Sequence, residues 1–346
     1  MTNPALRMIF LLCLIMSCLP VSAQAADKVV VIPLFGHGKP LKNIVTVAKA
    51  NGMFTDPVAA VNSITDASAD NPYLVVIGPG VYTLTHTLVM KSWVDITGSG
   101  ENVTRLVGAI SSGESASSSM VQTASHTVLS NMSIKNTGGD DYSIGVRIAG
   151  GFGQLRRITT EAIDGGNNRG IEIYLSSARL ADVTALAAFG HVNIAIANFY
   201  APSLEMSHVL ARAIGESSSS NYGVLNSRSN SRMVDVTAEA NGGMTNAAVY
   251  NNGSSPLMIR VQTNAWGGAN SYGVYNFAPS SVVVNSPVIR RSTIKGATHG
   301  IYSINCSGLT FLSQSTISGG VSVSGHATAK CVACDGNYDA LGTDCQ

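Results

Sequence analysis

The sequence is poor in charge, and it is short of the motifs that mark common soluble enzymes. Charged residues make up only 12% of the 346 residues, with 21 basic against 20 acidic. An N-terminal segment holds one Arg and no acid, so its removal leaves 21 − 1 = 20 basic and 20 acidic residues. A neutral, sparsely charged chain does not suit a nucleic-acid partner. A glycine-rich phosphate loop and a Gly-x-Ser-x-Gly nucleophile motif are both missing.

The N-terminus has the pattern of a secretory signal. Arg7 precedes an apolar run over residues 8–19, and residues 23–25 form a small-residue cleavage site. We predict that residues 1–26 are a signal peptide and that the protein is secreted, periplasmic or bound to the cell surface. Lipid attachment at Cys18 is the alternative, although the residues before it fit that motif poorly. No later apolar run is long enough to span a bilayer.

What the sequence has in abundance is one short pattern, which returns over residues 142–323. Its clearest copies are Tyr-Gly-Val-Leu-Asn at 222–226 and Tyr-Gly-Val-Tyr-Asn at 272–276. The second residues of seven copies stand at 145, 170, 195, 223, 248, 273 and 300, so the steps are 25 to 28 residues. Such a period is typical of a solenoid, whose repeats bury their apolar sides by stacking on one another.

Each repeat contains short runs rich in Val, Ile and Thr that are separated by Gly, Ser and Asn. Runs of this kind predict strands and not helices. We therefore predict an all-β fold, a right-handed parallel β-helix with a repeat of about 25 residues and three strands per coil.

Three adjacent columns of the aligned repeats agree with this fold, because strand side chains alternate between the two faces of a sheet. The first column is predicted to face inward and is Val146, Ile171, Ile196, Val224, Val249, Val274 and Ile301. The second is predicted to face outward and is Arg147, Glu172, Ala197, Leu225, Tyr250, Tyr275 and Tyr302. The third faces inward again and is Ile148, Ile173, Asn198, Asn226, Asn251, Asn276 and Ser303. Stacked asparagines can bond one another from coil to coil.

The chain on either side of the repeats is predicted to close the two ends of the coil. Residues 27–75 carry a predicted strand at 28–33 and a predicted helix after Asp56, which stands as an N-cap before a proline and an apolar run. Such a helix would cover exposed strand edges. The β-helix is predicted over 76–323 and a cysteine-rich C-terminal cap over 324–346.

Four cysteines follow the predicted signal peptide: Cys306, Cys331, Cys334 and Cys345. In an exported chain we expect them to form two disulfides that clamp the C-terminal cap. All three pairings stay open. Zinc ligation or redox chemistry by the Cys-x-x-Cys pair is the alternative, but His326 is the one histidine near it.

The opening coils carry a family resemblance. A strand over residues 73–82 ends in Gly-Pro-Gly-Val-Tyr, and the following strand ends in a Gly-Ser-Gly turn at 98–100. Together with the preceding helix, this resembles the opening coils of the pectin lyase-like superfamily, which includes pectate lyases, polygalacturonases and pectin methylesterases. The motifs cover about residues 50–110, and the remainder is similar in repeat geometry. The resemblance implies the β-helix fold and an external groove for acidic polysaccharide.

The catalytic motifs of these families are missing. The pectin methylesterase motifs Asp-Phe-Ile-Phe-Gly and Arg-Pro-Trp do not occur. The polygalacturonase Asn-Thr-Asp is replaced by Asn-Thr-Gly at 136–138, and Gly-His-Gly occurs only at 36–38. Pectate lyases use an arginine base and acids that hold calcium, which leaves four weak catalytic candidates here. These candidates are Asp140, Asp141, Asp182 and Asp235, and calcium is expected only if the protein is a lyase.

Two of these acids share a column twelve residues past the origin. That column is predicted to be Arg157, Asp182, Ser207, Asp235, Arg260 and Asn285. Neighbouring coils lie about 4.8 Å apart, so Asp182 can pair with Arg157 and Asp235 with Arg260 as surface ion pairs. Asp140 and Asp141 lie in a glycine-rich turn, where aspartates are common turn formers.

The outward tyrosines are the predicted ligand-binding residues. Tyr250, Tyr275 and Tyr302 would form an exposed aromatic strip able to contact sugar rings, or else a ladder that shields the sheet. We predict a β-helix that binds polysaccharide or a cell-surface partner along its outer face without catalysis, metal or cofactor. The alternative is a lyase or hydrolase for acidic glycans such as pectin. A groove with unpaired acids beside an arginine or lysine would favour that alternative.

Overall fold

The computed structural model describes residues 43–278, 285–306, 308–325, 327–332, 334–336, 339–341 and 344–345. The predicted signal peptide, the predicted strand at 28–33 and His326 lie outside these residues. Within them the chain is an all-β parallel solenoid, which confirms the predicted fold class. Its coils have three sides, which we name the front, second and third sheets in chain order.

The front sheet is built from one short strand of each coil, and all its pairings but one are parallel. Its strands are Leu88–Val89, Ser111–Ser112, Ser119–Thr123, Tyr142–Ala149, Asn167–Tyr174, Val192–Phe199, Ser220–Ser227, Thr245–Asn252, Asn270–Phe277, His299–Cys306 and Val321–Gly325. The exception is the two-residue strand Ser111–Ser112, which runs antiparallel to its neighbour.

The second and third sheets share five long strands that bend at a corner of the coil. These strands are Thr127–Asn136, Phe152–Ile163, Ser177–Ala188, Leu204–Ile214 and Ser231–Asn241. Shorter strands complete the second sheet: Asn43–Val47, Tyr73–Ile77, Val94–Thr97, Leu257–Ile259, Val288–Arg290, Leu309–Ser313 and Thr328–Val332. Others complete the third: Gly80–Thr83, Thr104–Gly108, Gln262–Trp266, Thr293–Gly296, Thr316–Ser318, Asp335–Gly336 and Asp339–Ala340.

The corner between the second and third sheets is marked by one left-handed residue in each coil. These corner residues, with φ between 50° and 59°, are Asn131, Arg157, Asp182, His208, Asp235, Arg260, Arg291 and Gln314. A single residue in this conformation turns the chain without a loop, which is why one long strand can serve two sheets. Six of these eight side chains are exposed, and those of Asn131 and Asp235 are half-buried.

The front-sheet register aligns the repeats as predicted. Val224 pairs with Val249 and Val249 with Val274, and the whole aliphatic column is fully buried. The asparagine column forms a ladder: Asn226 Nδ2 donates to Asn251 Oδ1 at 3.0 Å, and Asn251 Nδ2 donates to Asn276 Oδ1 at 2.9 Å. The predicted inward columns and the coil-to-coil amide bonds are therefore confirmed.

A second asparagine ladder, which the sequence analysis missed, runs along another corner of the coil. Its members are Asn168, Asn193, Asn221 and Asn246, each donating to the next at 2.9 to 3.0 Å. Three of them also exchange two hydrogen bonds with the glycine three residues earlier, as Asn193 does with Gly190. This ladder holds the turn that leads into the front sheet.

The predicted helix closes the N-terminal end of the described coil. It spans Pro57–Ser63, and the Asp56 carboxylate accepts from the backbone N–H groups of Val58 at 3.0 Å and Ala59 at 3.3 Å. Ala60 and Val61 are buried against the first coils. Lys91 Nζ donates to the carbonyls of Asn62 and Ile64, which supplies a cation and donors where the helix ends.

At the C-terminal end, Cys331 and Cys345 form a disulfide. Cys334 is a buried thiol, and the side chain of Cys306 lies outside the described atoms. The second predicted disulfide therefore stays a prediction. The tail after residue 324 continues the solenoid, since Thr328–Val332 and Asp335–Gly336 pair in parallel with the preceding coil.

Candidate functional site

The outer face of the front sheet carries two neighbouring columns of side chains. The predicted outward column contains Tyr250, Tyr275 and Tyr302. Tyr272, three residues before Tyr275, lies on the same face, because its ring centroid is 5.0 Å from that of Tyr275 and 4.8 Å from that of Tyr302. The strand backbone is irregular at Gly273, which pairs with no residue of the next strand, and this brings both columns outward.

Aromatic rings from these columns form one continuous strip, which we call the tyrosine strip. Its members are Tyr222, Tyr250, Tyr272, Tyr275, His299 and Tyr302. Along the main column, the centroids of Tyr250, Tyr275 and Tyr302 are 4.9 and 5.4 Å apart, close to the spacing of the coils, and Tyr222 of the neighbouring column stacks on Tyr250 at 5.1 Å. The predicted residues Tyr250, Tyr275 and Tyr302 are therefore brought together, and Tyr222, Tyr272 and His299 join them.

The geometry of the strip decides how it can meet a ligand. Neighbouring rings are stacked or tilted, with interplanar angles of 24° for Tyr222–Tyr250 and 29° for Tyr250–Tyr275. Stacking covers much of each ring face, so the strip can meet a ligand with ring edges more than with open faces. Burial raises the pKa of Tyr222 and of Tyr272, so both phenols remain protonated hydrogen-bond donors at neutral pH.

An apolar patch continues the strip toward the N-terminus. Ile194, Ala197 and Leu225 point outward but are buried by their neighbours, which include Phe199 and Tyr222. Outward orientation therefore does not mean exposure on this face. The patch and the strip together form one apolar and aromatic surface along successive coils.

The next two coils place a buried ion cluster on the same face. Glu172 is 1% exposed, and its carboxylate accepts from Arg147 Nε at 2.8 Å and from Arg169. The Arg169 guanidinium lies over the rings of Tyr142 and Phe199, at 5.1 and 5.0 Å from their centroids. Arg147 and Glu172 follow one another in the predicted outward column and pair across adjacent coils, and Arg169 adds a second cation that the sequence did not indicate.

The predicted catalytic acids are not brought together. Asp140 and Asp141 are exposed in the turn before the front sheet, where their backbone carbonyls accept from Gly166 and Asn167 at 2.9 and 2.7 Å. Asp182 and Asp235 lie at the corner between the second and third sheets. Within the described residues, no three His, Cys, Asp or Glu side chains form a group that could hold a metal ion.

The corner column differs from the predicted one at two places. His208 and Arg291 occupy the positions assigned to Ser207 and Asn285, because the insertions between repeats shift the register by one residue or more. Asp235 pairs with Arg260 at 2.6 and 2.7 Å, as predicted, and this bond lowers the pKa of Asp235. The predicted Arg157–Asp182 pair is absent from the described chain, and the His208 ring lies between the two acids, with Nδ1 3.9 Å from Asp182 and Nε2 3.9 Å from Asp235.

A groove on the third sheet has part of what was expected of an enzyme, because acids stand there beside an arginine and a lysine. It has a volume of about 280 Å³, and Glu101, Arg105, Lys135 and Glu161 line it. Both acids are already bonded, since Glu161 pairs with Lys135 at 2.9 Å and Glu101 accepts from Thr159 Oγ1 at 2.9 Å. The groove is balanced in charge: Glu161 is ion-paired, whereas Glu101 is bonded to a neutral hydroxyl.

Comparison with known structures identifies the architecture. A tailspike protein from Dettilon is similar over 86% of this chain and 60% of its own length, with 12% identity and a TM-score of 0.50. Carrot pectin methylesterase matches 87% of this chain and 85% of its own, with 13% identity and a TM-score of 0.45. The A-module of the Azotobacter vinelandii mannuronan C-5 epimerase AlgE4 matches 81% and 91%, with 13% identity and a TM-score of 0.46.

The chain has a parallel β-helix fold, which it shares with the tailspike protein. The resemblance seen in the opening coils is thereby confirmed at the level of fold. No protein-family model and no curated protein matches the sequence. At identities this low, the fold alone assigns neither an activity nor a ligand. No helix in the described part of the chain is long and apolar enough to cross a membrane.

Proposed function

We propose that the protein is an exported binding protein that holds a polysaccharide along the front sheet without cleaving it. The observation that carries this proposal is the tyrosine strip, which runs over four coils at the coil spacing. A ladder of identical groups suits a linear polymer, whose own groups recur along its length. The predicted signal peptide and the Cys331–Cys345 disulfide support export to an oxidising compartment.

The chemistry of the strip supports a polyhydroxylated ligand. Tyrosine combines a rigid apolar body with a hydroxyl that donates and accepts, so it contributes contact area at little conformational cost. The strip is half-buried and held by ring stacking, hence it is already ordered before a ligand arrives. Preorganisation of this kind reduces the entropy lost on binding.

The proposal is tested with purified protein that lacks residues 1–26, incubated with acidic and neutral polysaccharides with and without calcium. Size-exclusion chromatography follows glycan chain length, and absorbance follows unsaturated uronide. We expect intact glycans, and a polysaccharide that retards the protein in affinity electrophoresis. Shortened glycans would contradict the proposal and make the protein an enzyme.

The residues are tested by Tyr275→Leu, which removes the central ring and hydroxyl of the strip but keeps an apolar cover on the sheet. We expect the retardation to fall by about tenfold or more, as for a buried aromatic anchor. Trp93→Leu is the matched control, since Trp93 stacks on His126 with centroids 4.2 Å apart on a different part of the surface. Equal losses in both variants would point to general destabilisation and not to the strip.

The groove on the third sheet favours the lyase or hydrolase as a second candidate. Two carboxylates, Glu101 and Glu161, stand there beside Arg105 and Lys135, a set that could transfer protons to or from a sugar. If the panel shows chain shortening, Glu101→Gln and Glu161→Gln are the first variants to test. Retained cleavage in both would assign the activity to another site.

A further inference from the structure

A second cavity lies on the second sheet near its C-terminal end, away from the tyrosine strip. Its volume is about 410 Å³. Ile259, Phe311 and Val332 supply its apolar lining, which we call the floor; Arg290 lies among them, between Ile259 and Ser313, and Arg291 lies at the corner. No acidic residue lines it, in contrast to the balanced groove on the third sheet.

The strand register explains why these side chains meet. Arg290 pairs with Ile259 on one side and with Ser313 on the other, and Ser313 pairs with Val332, so all four lie in one outward column. Their neighbours Ile289 and Leu312 face inward and are buried. The Cys331–Cys345 disulfide anchors the last strand of the cavity, Thr328–Val332, to the C-terminal tail.

The charges around the cavity are not balanced. Arg260 and Arg291 occupy the same corner of successive coils, and like charges on adjacent strands repel. Asp235 neutralises Arg260 through two bonds of 2.6 and 2.7 Å. Within the described chain, no carboxylate lies in ion-pair distance of Arg290 or Arg291, and Arg291 Nε donates to the neutral Gln314 at 3.1 Å. Two positive charges are therefore left beside the apolar floor.

We propose that this cavity binds an amphiphilic anion, an apolar group that carries a carboxylate, phosphate or sulfate. Guanidinium groups form charge-assisted bonds to such oxyanions, often two at a time. The floor of Ile259, Phe311 and Val332 would cover the apolar part, and the volume lies in the range of small-molecule sites. This site is separate from the proposed glycan surface, so either proposal can fail without the other.

The proposal is tested by isothermal titration of the full mature chain with octyl phosphate, inorganic phosphate and octyl glucoside. The first probe has both features of the ligand class, and each of the others has one. We expect octyl phosphate to bind at least about tenfold more tightly than either of the others. No saturable binding of octyl phosphate below about 1 mM, or equal binding of inorganic phosphate, would overturn the proposal.

Variants locate the site. The double variant Arg290→Gln and Arg291→Gln should lose about tenfold or more in affinity for octyl phosphate. Arg157→Gln is the matched control, because Arg157 is an exposed corner arginine of the same conformation without a described ion pair, far along the coil. Val332→Ser should weaken octyl phosphate by several-fold, at about fourfold per methylene no longer covered, and leave inorganic phosphate unchanged. Affinity that is equal in wild type and the double variant would place the anion elsewhere and overturn the proposal.

Discussion

The inner and outer columns of the front sheet repeat with the same period but differ in what their side chains do. Asn251 and Asn276 face inward and are fully buried, and Asn251 Nδ2 donates a hydrogen bond to Asn276 Oδ1. Tyr250 and Tyr275 stand one residue before them on the same strands, half-buried and facing outward. The comparison teaches that repetition alone does not distinguish a structural row from a proposed binding row. What separates the two rows is burial, since the asparagines are closed off from solvent and the tyrosines keep part of their surface exposed.

Two residues show that the direction in which a polar side chain points does not by itself determine whether it is buried. Glu172 lies on the outer face but is buried by two arginines and the rings around them. Asp95 lies on the outer side of the second sheet, and burial raises its pKa to about 6 although it accepts a bond of 2.8 Å from the Val128 N–H. Burial, and not direction, therefore decides how much an outer polar group contributes to stability.

The largest effect is expected from Glu172→Gln. Removing the carboxylate leaves Arg147 and Arg169 as buried like charges, which should lower the free energy of unfolding by about 3–5 kcal/mol. The matched control is Glu205→Gln, since Glu205 is about half exposed and pairs with Arg179 at 2.8 Å. That change should cost under about 1 kcal/mol. Urea unfolding measures both, and similar losses would contradict the importance of burial on the outer face.

The inner ladder predicts a position-dependent cost. Asn251→Val leaves Asn226 Nδ2 and Asn276 Oδ1 unbonded in the core, which should cost about 2–4 kcal/mol. Asn198→Val should cost about half as much, because Asn198 ends the ladder and its Oδ1 already has no partner among the described residues. Urea unfolding of the two variants measures the loss in the free energy of unfolding for each. Equal costs would mean that the ladder does not act as a chain of bonds.

Asp95 predicts a pH dependence. Its folded pKa of about 6 exceeds the unfolded value near 3.8, so the folded state holds the proton more tightly. This contribution is complete below about pH 4 and is lost as pH rises through about 6, by roughly 3 kcal/mol. Asp95→Asn stays neutral and can still accept from Val128. Its stability gain over wild type should therefore be larger at pH 8 than at pH 4, and a pH-independent difference would refute the assignment.

The smallest effects are expected at the corner column. Asp182→Asn alters an exposed side chain and Asp235→Asn a half-buried one, and both charges are screened by water and salt. Neither change should shift the melting temperature measurably or alter retention by a polysaccharide. A variant that abolishes glycan cleavage in the panel assay would instead revive Asp182 or Asp235 as a catalytic acid.

The sequence predicted those features that recur at a strict period. The aliphatic column and the Asn226–Asn251–Asn276 ladder follow from strand alternation, and the helix follows from Asp56 and the proline after it. The second ladder was within reach, because Asn168, Asn193, Asn221 and Asn246 are spaced like the first. It was missed because those residues stand near the start of each front-sheet strand, outside the three columns that were aligned.

The sequence could not predict features that depend on insertions or on neighbouring coils. Residues inserted between repeats displaced the corner column, so that His208 and Arg291 stand where Ser207 and Asn285 were expected. Tyr272 joined the strip because the strand is irregular at Gly273, which breaks simple alternation. The burial of Glu172 requires Arg169 from its own strand and Phe199 from the next coil. Contacts of this kind have no signature in a single repeat.

The most direct test of the binding surface uses the polysaccharide that is retained most strongly, cut into oligosaccharides of increasing length. Titration calorimetry on wild type and Tyr275→Leu measures the affinity for each length. The account predicts that affinity rises with every added sugar until the four coils of the strip are covered, and that Tyr275→Leu removes most of this rise. Affinity that does not depend on length, or that Tyr275→Leu leaves unchanged, would contradict binding along the front sheet.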